Sequence, residues 1–504
     1  MVFVRKYFLW FLIGFFILLI PLLIQIYNTP TGYVPSGFIS GGFDYATFIA
    51  KMKWGAAGHW TYINRYTTEC TEPAPIYGFY LLLGHISKWT GLSVIWVYHL
   101  ARSLIGALCL ISLWGFLKTN TKSKTWLAFL LVITCMAGYW EYFDSVLNTK
   151  VAKMDLFLQA KVGTAFLTYP HYLVDLLAFL SIFHAYLADI PARRRICLSA
   201  IAGFLFSAVH VFLMAIILIP LIHGLLNKRT KEALQVVIPS MIAALPLTII
   251  QYLAFTHIEW LRVWRDATAT QFVSPLILLL AIHGVTGLLA WYKIVSEIKK
   301  LSFWSIWVLT ASVMAYAMPL ANRTEYIFFL AIPLGILASE VVEKIIGWLE
   351  ERKNPTLTVI GVTLLLLLTS GYSILWMIPI FKADKTVTGK YPNYLPMEYV
   401  DTLANLDNEQ AIVLCDTYTG NFMPAWTIKL KPYCAHPMET LNYEEKRKKV
   451  DAFYKGELPQ LPEQIGAKYI IYEDFLAEND YGKLHDILGE PFIKGKHIAV
   501  WKRR

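Results

Sequence analysis

Apolar runs near the roughly 20 residues that a helix needs to cross the hydrocarbon of a bilayer recur along most of the first 380 residues. Lipid offers the backbone no water to bond, so such runs are restricted to structures that satisfy their own N–H and C=O groups, and here that means helices. The windows fall near 7–27, 93–117, 125–140, 166–188, 196–209, 211–226, 233–254, 274–292, 302–320, 325–342 and 356–378, about eleven spans. Only 16% of the residues are charged and 57% are hydrophobic, against roughly 25% charged in a soluble domain. The chain therefore reads as an α-helical polytopic membrane protein.

Charge sets the expected orientation. The net charge of +10 is gathered in short clusters between the apolar runs, "VRK", "KTNTKSK", "PARRR", "NKRTK", "YKIVSEIKK" and "EERK". With eleven spans all of these fall on one side, which is the cytoplasmic one by the positive-inside bias. No nucleic-acid partner fits that distribution; membrane lipids do. The opposite segments, 28–92, 141–165, 255–273 and "LANRTEY", are richer in aromatics and mixed in charge. The two short windows around "SAVHVFLMA" (207–215) read as separate helices, because fusing them would place "NKRTK" on the wrong side. The N-terminal apolar run is too long for a cleaved signal core and reads as a retained first helix, leaving the N-terminus cytoplasmic.

Two domains follow: 1–381, transmembrane, with a first outer loop at 28–92, and 382–504, an extracytoplasmic α/β domain. In the loop, Tyr45, Phe48, Ile49 and Met52 form a helical stripe with Lys51 and Lys53 off it, a pattern for a helix lying on the membrane surface. "PAPIYGFYLLLGHISKWTGL" reads as a second helix starting at its prolines, interfacial or re-entrant, with a full crossing as the alternative. In the tail, "AIVLCD", "KYIIYED" and "HIAVWKRR" read as strands, with a helix in "NYEEKRKKVDAFYKG" and a loop leading "TYTGNFMPAW" into another helix. Cys109, Cys135 and Cys197 fall inside apolar spans and read as small hydrophobes, while Cys415 and Cys434 form a bridge only if the exported tail brings their backbones together.

Asp44, just before the amphipathic stretch, is either a helix N-cap or a base at the lipid surface, and the two roles are compatible. His171, Asp175, His210 and Arg323 are ionisable residues expected near the outer ends of the spans, where such groups face a polar cavity or a partner. Arg323, with Arg262 and Arg265 of "EWLRVWRD", presents guanidinium forks suited to phosphate; an ordinary interfacial turn is the alternative for the latter two. Glu69 and Glu72 are possible acceptor-site carboxylates in an extended loop, and His59 beside Trp60 reads as an interface residue. No zinc spacing, HExxH, GxGxxG or Walker pattern is present, so no cofactor is expected; no motif supports a metal, and a divalent ion stays open.

The chain resembles the GT-C superfamily of polytopic glycosyltransferases, which includes protein O-mannosyltransferases and lipid A aminoarabinose transferases. The resemblance is carried by Asp44 in "GGFDYATFIAKMKWGAAGHW", by "YTTECTEPAPIYGFYLLLGHISKWTGLSVIWVYHLAR", "YPHYLVDLL", "AVHVF", "WRDATATQFVSPL" and "ANRTEYIFFLAIPLGI", and by the tail "CDTYTGNFMPAW…AHPMETLNYEEKRKKVDAFYKGE". It implies transfer of a sugar from a polyprenyl-phosphate carrier to a lipid, protein or glycan acceptor outside the cytoplasm. The first-loop aspartate would act on the acceptor, and His171, His210 and Arg323 would line the lipid-phosphate cavity. Relatives often carry two adjacent acidic residues there, whereas Asp44 is followed by Tyr45. A transporter or a catalytically silent scaffold is the alternative from another class; no repeat of the kind transporters show is evident.

Overall fold

The structure, a computed structural model, describes residues 2–39, 44–69, 71–135, 161–269, 283–317, 326–371, 373–375, 378, 392–476 and 479–503. Arg323, the outer segment 141–160 and all of "TQFVSPL" lie outside the described residues.

In chain order the helices are α1 (Val2–Tyr27), α2 (Asp44–Ala56), α3 (Gly78–Thr90), α4 (Val94–Asn120), α5 (Thr125–Thr134), α6 (Pro170–Leu187), α7 (Ala192–Val209), α8 (Leu218–Leu226), α9 (Thr230–His257), α10 (Glu259–Ala269), α11 (Gly284–Ser296), α12 (Phe303–Ala317), α13 (Ala331–Glu351) and α14 (Pro355–Leu366). The tail adds α15 (Met397–Leu406), α16 (Thr417–Trp426), α17 (Tyr443–Tyr454) and α18 (Tyr481–Leu488). Among the described residues, four helices are long and apolar enough to cross a membrane: α1 from Tyr7, α4, α6 and α9. Shorter apolar helices account for other expected windows, among them Met214–Leu226 and Pro355–Gly371. Along α1, Phe8, Leu9, Trp10 and Phe16 are left exposed, as is Met241 with its neighbours on α9, which water would penalise and lipid tails do not.

The chain forms two compact units. The first comprises residues 1–18, 102–249 and 269–379. Its helices approach closely where a small residue permits it: a Cβ on Gly203 of α7 would overlap the carbonyl of Ser240 on α9, and Ser240 Oγ donates to Ser199 O at 2.9 Å. The expected break in the middle of "SAVHVFLMA" is present. α7 ends at Val209, His210 leaves helical geometry at φ −137°, and a 3₁₀ turn, Val211–Ile217, leads into α8.

The second unit gathers residues 19–101, 250–268 and 380–504. Its five-stranded sheet has the order β4-β3-β5-β7-β6, after the small antiparallel pair β1 (Tyr33–Pro35) and β2 (Tyr394–Pro396). β3 (Ala411–Leu414) runs parallel to β4 (Leu430–Pro432) and β5 (Tyr469–Glu473), while β6 (Ile493–Lys494) and β7 (Ile498–Lys502) close the sheet antiparallel. Apolar residues cover both faces, Val413, Ile471 and Val500 on one and Leu414, Ile470 and Trp501 on the other, so the tail is an α/β layer as its alternating pattern predicts. α16 starts directly at Thr417, with Asp416 accepting from the N–H groups of Tyr418 and Thr419, so no loop intervenes.

Two local expectations need correction. α3 starts at Gly78, not at the prolines: Ala74 pairs with Tyr62 as an isolated bridge, and Tyr77 turns the chain into the helix with a left-handed φ of 59°. The 13 residues of α3 rise only about 20 Å, short of a bilayer core. α3 packs on α2 at two glycines, Gly55 and Gly84, where a Cβ would collide with the facing backbone carbonyls of Leu81 and Met52. The second correction concerns Lys51. It is buried against the tail, and a helix with this lysine inside is more than a membrane-surface stripe.

Candidate active site

Asp44 opens α2, and its carboxylate accepts a hydrogen bond from the tail: His436 Nε2 lies 3.0 Å from Asp44 Oδ1. The tautomer follows from the other ring nitrogen. His436 Nδ1 accepts the Met438 N–H at 3.2 Å, so in a neutral ring the proton sits on Nε2, facing Asp44. The imidazole is buried, with the Tyr66 ring edge-on at 6.2 Å, while about half of the Asp44 side chain stays exposed. The result is an accessible carboxylate steered by a fixed donor, with the pairing partner 392 residues away in sequence.

The same tail loop makes a second attachment to α2. Glu439 Oε1 pairs with Lys51 Nζ at 2.8 Å, both side chains nearly inaccessible, and Lys51 also donates to Thr47 Oγ1 and lies 4.0 Å over the ring of Tyr77. Asn64 Nδ2 donates to Glu439 O at 2.6 Å, and Thr440 Oγ1 donates to Tyr66 O at 2.7 Å. Arg65, fully buried, donates to the carbonyls of Pro424 and Thr427, where the C-terminal end of α16 presents acceptors and a partial negative charge, and to that of Leu430 at the start of β4. Tyr77 holds its left-handed backbone beside this ion pair, a conformation that costs a non-glycine residue of order 1 kcal/mol or more.

The other sequence candidates separate into groups. Glu69 is not simply solvated: Lys446 Nζ lies 2.6 Å from it and Thr67 donates to it. Burial opposes its charge, and these hydrogen bonds outweigh it, holding the carboxyl below its ordinary value. Glu72 is exposed, and its carbonyl accepts from Trp260 Nε1 on α10. On α10, Arg262 is exposed, and Arg265 is paired with its neighbour Asp266 at 2.8 Å. His59 stacks on Trp54 at 3.8 Å, and Trp60 stacks on His85 at the same distance.

His171 and His210, both in the first unit, do come together. His210 Nδ1 lies 2.6 Å from Asp175 Oδ2, and the His171 and His210 ring centroids are 4.8 Å apart, with Tyr172 and Phe328 against His210. The helix break puts His210 there, since it is the residue at which α7 stops. Asp175 is fully buried and its Oδ1 accepts no hydrogen bond among the described residues. Among those residues no group of three or more His, Cys, Asp or Glu is placed to hold a metal, and Cys415 and Cys434 are both free thiols.

Residue reasoning from sequence missed His436, Glu439 and the inward turn of Lys51. The stretch "AHPMET" carries a His and a Glu three apart, but nothing in its spacing says that it folds onto a helix nearly 400 residues earlier.

No family model matches the chain, and no curated protein does either. Among solved structures, it is similar to ArnT from Cupriavidus metallidurans bound to undecaprenyl phosphate, at 12% identity and a TM-score of 0.48, over 95% of this chain and 96% of that one. It is also similar to the arabinofuranosyltransferase AftD from mycobacteria, at 12% identity and a TM-score of 0.45. That alignment covers 98% of this chain but only 40% of AftD.

Proposed function

We propose that the chain is an integral membrane glycosyltransferase of the GT-C type, moving a sugar from a polyprenyl-phosphate carrier to an acceptor outside the cytoplasm. The observation that carries this reading is the Asp44–His436 contact. A carboxylate that only ends a helix needs no buried imidazole aimed at it from another segment. One that takes a proton from an acceptor hydroxyl gains from being held in a single orientation at an accessible surface.

In the proposed step Asp44 takes the acceptor hydroxyl proton as the oxygen attacks the anomeric carbon, and the bond from that carbon to the carrier phosphate breaks. The departing phosphate needs little protonation. Its charge would call for cationic and N–H donors, a role that the side-chain chemistry of Arg323, His171, His210, Arg262 and Arg265 suits. Burial of the prenyl tail among apolar helices would supply binding energy remote from the reacting carbon.

Sidedness supports the same reading. Three segments expected on the outer side from charge bias, 28–92, the stretch near 260 and the tail, meet in one compact unit, and segments that pack together lie on one side of a membrane.

Asp44→Asn tests the proposal. Cell-envelope glycans and glycolipids profiled by mass spectrometry should lose the product that the wild-type chain supports. Undiminished product yield would remove Asp44 from the chemistry and leave it a helix-end residue.

A further inference from the structure

The second unit holds a cleft of about 430 Å³ that takes no part in the Asp44 site, with Ile49, Lys53, Val94, Ile95, Trp426 and Ile428 among its walls. Its size falls in the roughly 300–1,000 Å³ range of ligand pockets. On α2, Ile49, Lys53 and Ala56 follow at intervals of four and three and so share one stripe. Asp44 lies nine residues before Lys53, which is roughly half a turn around the helix and about 13.5 Å along it.

Lys53 is the charged residue of an otherwise largely apolar lining, and among the described residues no hydrogen bond or ion pair reaches its ammonium. Asp407, the acid that acts on it through space, spends its carboxylate on the backbone N–H groups of Ile428, Lys429 and Leu430. Burial, reinforced by Arg65, holds the Lys53 ammonium below the ordinary lysine value despite Asp407. A half-desolvated cation without a counter-ion is a site with a demand for an anion.

The surroundings say what kind. The segments that form the cleft also carry Trp60 and Trp89 exposed, the residue type that settles at the headgroup level of a bilayer, together with exposed Leu82 and Leu92, which suit the acyl region beneath it. Lys88, in the last turn of α3, brings its Nζ against Gly58 and adds positive charge on the same elements.

We propose that this cleft binds an anionic phospholipid, its headgroup phosphate on the Lys53 ammonium and one acyl chain along Ile49, Val94, Ile95 and Trp426. A free phosphate would satisfy the lysine and leave the apolar walls bare, whereas a zwitterionic lipid would fill the walls and bring its own cation to the lysine. The ligand class that meets both is an anionic amphiphile.

The test uses the purified full-length chain in nanodiscs of equal parts phosphatidylglycerol and phosphatidylcholine, with lipid retention read by native mass spectrometry. Wild type should retain phosphatidylglycerol over phosphatidylcholine, and millimolar inorganic phosphate should not displace it. Lys53→Gln should lower phosphatidylglycerol retention roughly tenfold, to the level of phosphatidylcholine, and Lys53→Arg should keep the preference. Val94→Trp, which fills the cleft, should lower retention of both lipids and keeps the proposal testable if Lys53→Gln does not fold. Equal retention of the two lipids by wild type, displacement by inorganic phosphate, or unchanged retention in Lys53→Gln or Val94→Trp would each overturn it. Asp44→Asn should leave lipid retention at the wild-type level, so this inference and the transferase reading fail separately.

Discussion

Lys51→Met is the substitution that most directly interrogates how the tail is joined to α2. The wild-type ammonium sits 2.8 Å from Glu439 Oε1, with side-chain exposures of 2% and 5%. Among the described residues the Glu439 carboxylate has no other hydrogen-bond donor, since its Oε2 accepts nothing. Methionine keeps the unbranched stem in the space that Phe48, Tyr62 and Tyr77 enclose but leaves a buried charge with no counter-ion. Breaking a buried pair in this way costs about 3–5 kcal/mol, most of it the stranded charge and not the lost attraction. For a folded unit of this size each kcal/mol shifts the melting temperature by about 2–4 °C, so Tm should fall by roughly 6–20 °C. The assay is thermal unfolding of the full chain in detergent, followed by tryptophan fluorescence. The double variant Lys51→Met/Glu439→Gln removes the stranded charge and should recover at least half of the loss. A Tm within about 2 °C of wild type in Lys51→Met, or a double variant no better than the single, would refute the argument that the pair is buried and uncompensated.

His436→Ala should lower kcat roughly 10- to 100-fold with little change in KM for the donor, because it frees the orientation of Asp44 without touching donor contacts. His436→Gln, whose side-chain amide can replace the Nε2 donor, should restore part of the rate, and equal rates for the two variants in a transfer assay would count against orientation as the cause. In the tail, Thr419 Oγ1 bridges Asp416 and Glu473 at 2.6 and 2.7 Å. Burial first, then the adjacent Asp416, pushes the Glu473 carboxyl well above its ordinary 4.5. A raised carboxyl pKa means that the folded state holds its proton more tightly. Stability from this group is therefore present below pH 4.5 and declines as pH rises above it towards the raised folded value. Glu473→Gln should flatten that decline in denaturant melts run from pH 5 to 9, and an unchanged slope would exclude Glu473 as its source.

The membrane helices were legible because lipid imposes a pattern that no other environment does: long apolar windows, basic clusters between them and a tail whose composition changes. Three strands of the tail, β3, β5 and β7, followed from their β-branched and aromatic runs, whereas the short β2, β4 and β6 carry no such run; the stop at His210 followed from the conflict between charge bias and an unbroken span. Lys51 was misassigned for a physical reason. At helical spacing a lysine off the apolar stripe normally stays in water, and only a carboxylate supplied from far along the chain makes burial tolerable. The start of α3 was misplaced because prolines mark a helix start only where the following residues continue in helical geometry. Here they are held extended by the Tyr62–Ala74 bridge, and Tyr77 makes the turn. Asp44 could be nominated from its position, but its partner could not, because hydrogen bonds between distant segments leave no local periodicity.

The two tail contacts on α2 have a joint consequence. Asp44 and Lys51 are seven residues apart, two turns and about 10.5 Å, so they lie on nearly the same face of the helix. Their partners, His436 and Glu439, are three residues apart in one tight turn, where the N–H groups of Glu439 and Thr440 both bond to His436 O. One rigid turn of the tail therefore grips one face of α2 at two points, and two points fix both the position and the rotation of a helix where one would fix only position. If Asp44 is the base, the tail is part of the geometry of catalysis and not only a module for recognising an acceptor. Loosening the distal grip should then be felt at the proximal one: Lys51→Met, assayed well below its own melting temperature, should lower kcat even though Lys51 touches no reacting atom. Full activity in that variant, folded, would show that Asp44 keeps its orientation from His436 alone.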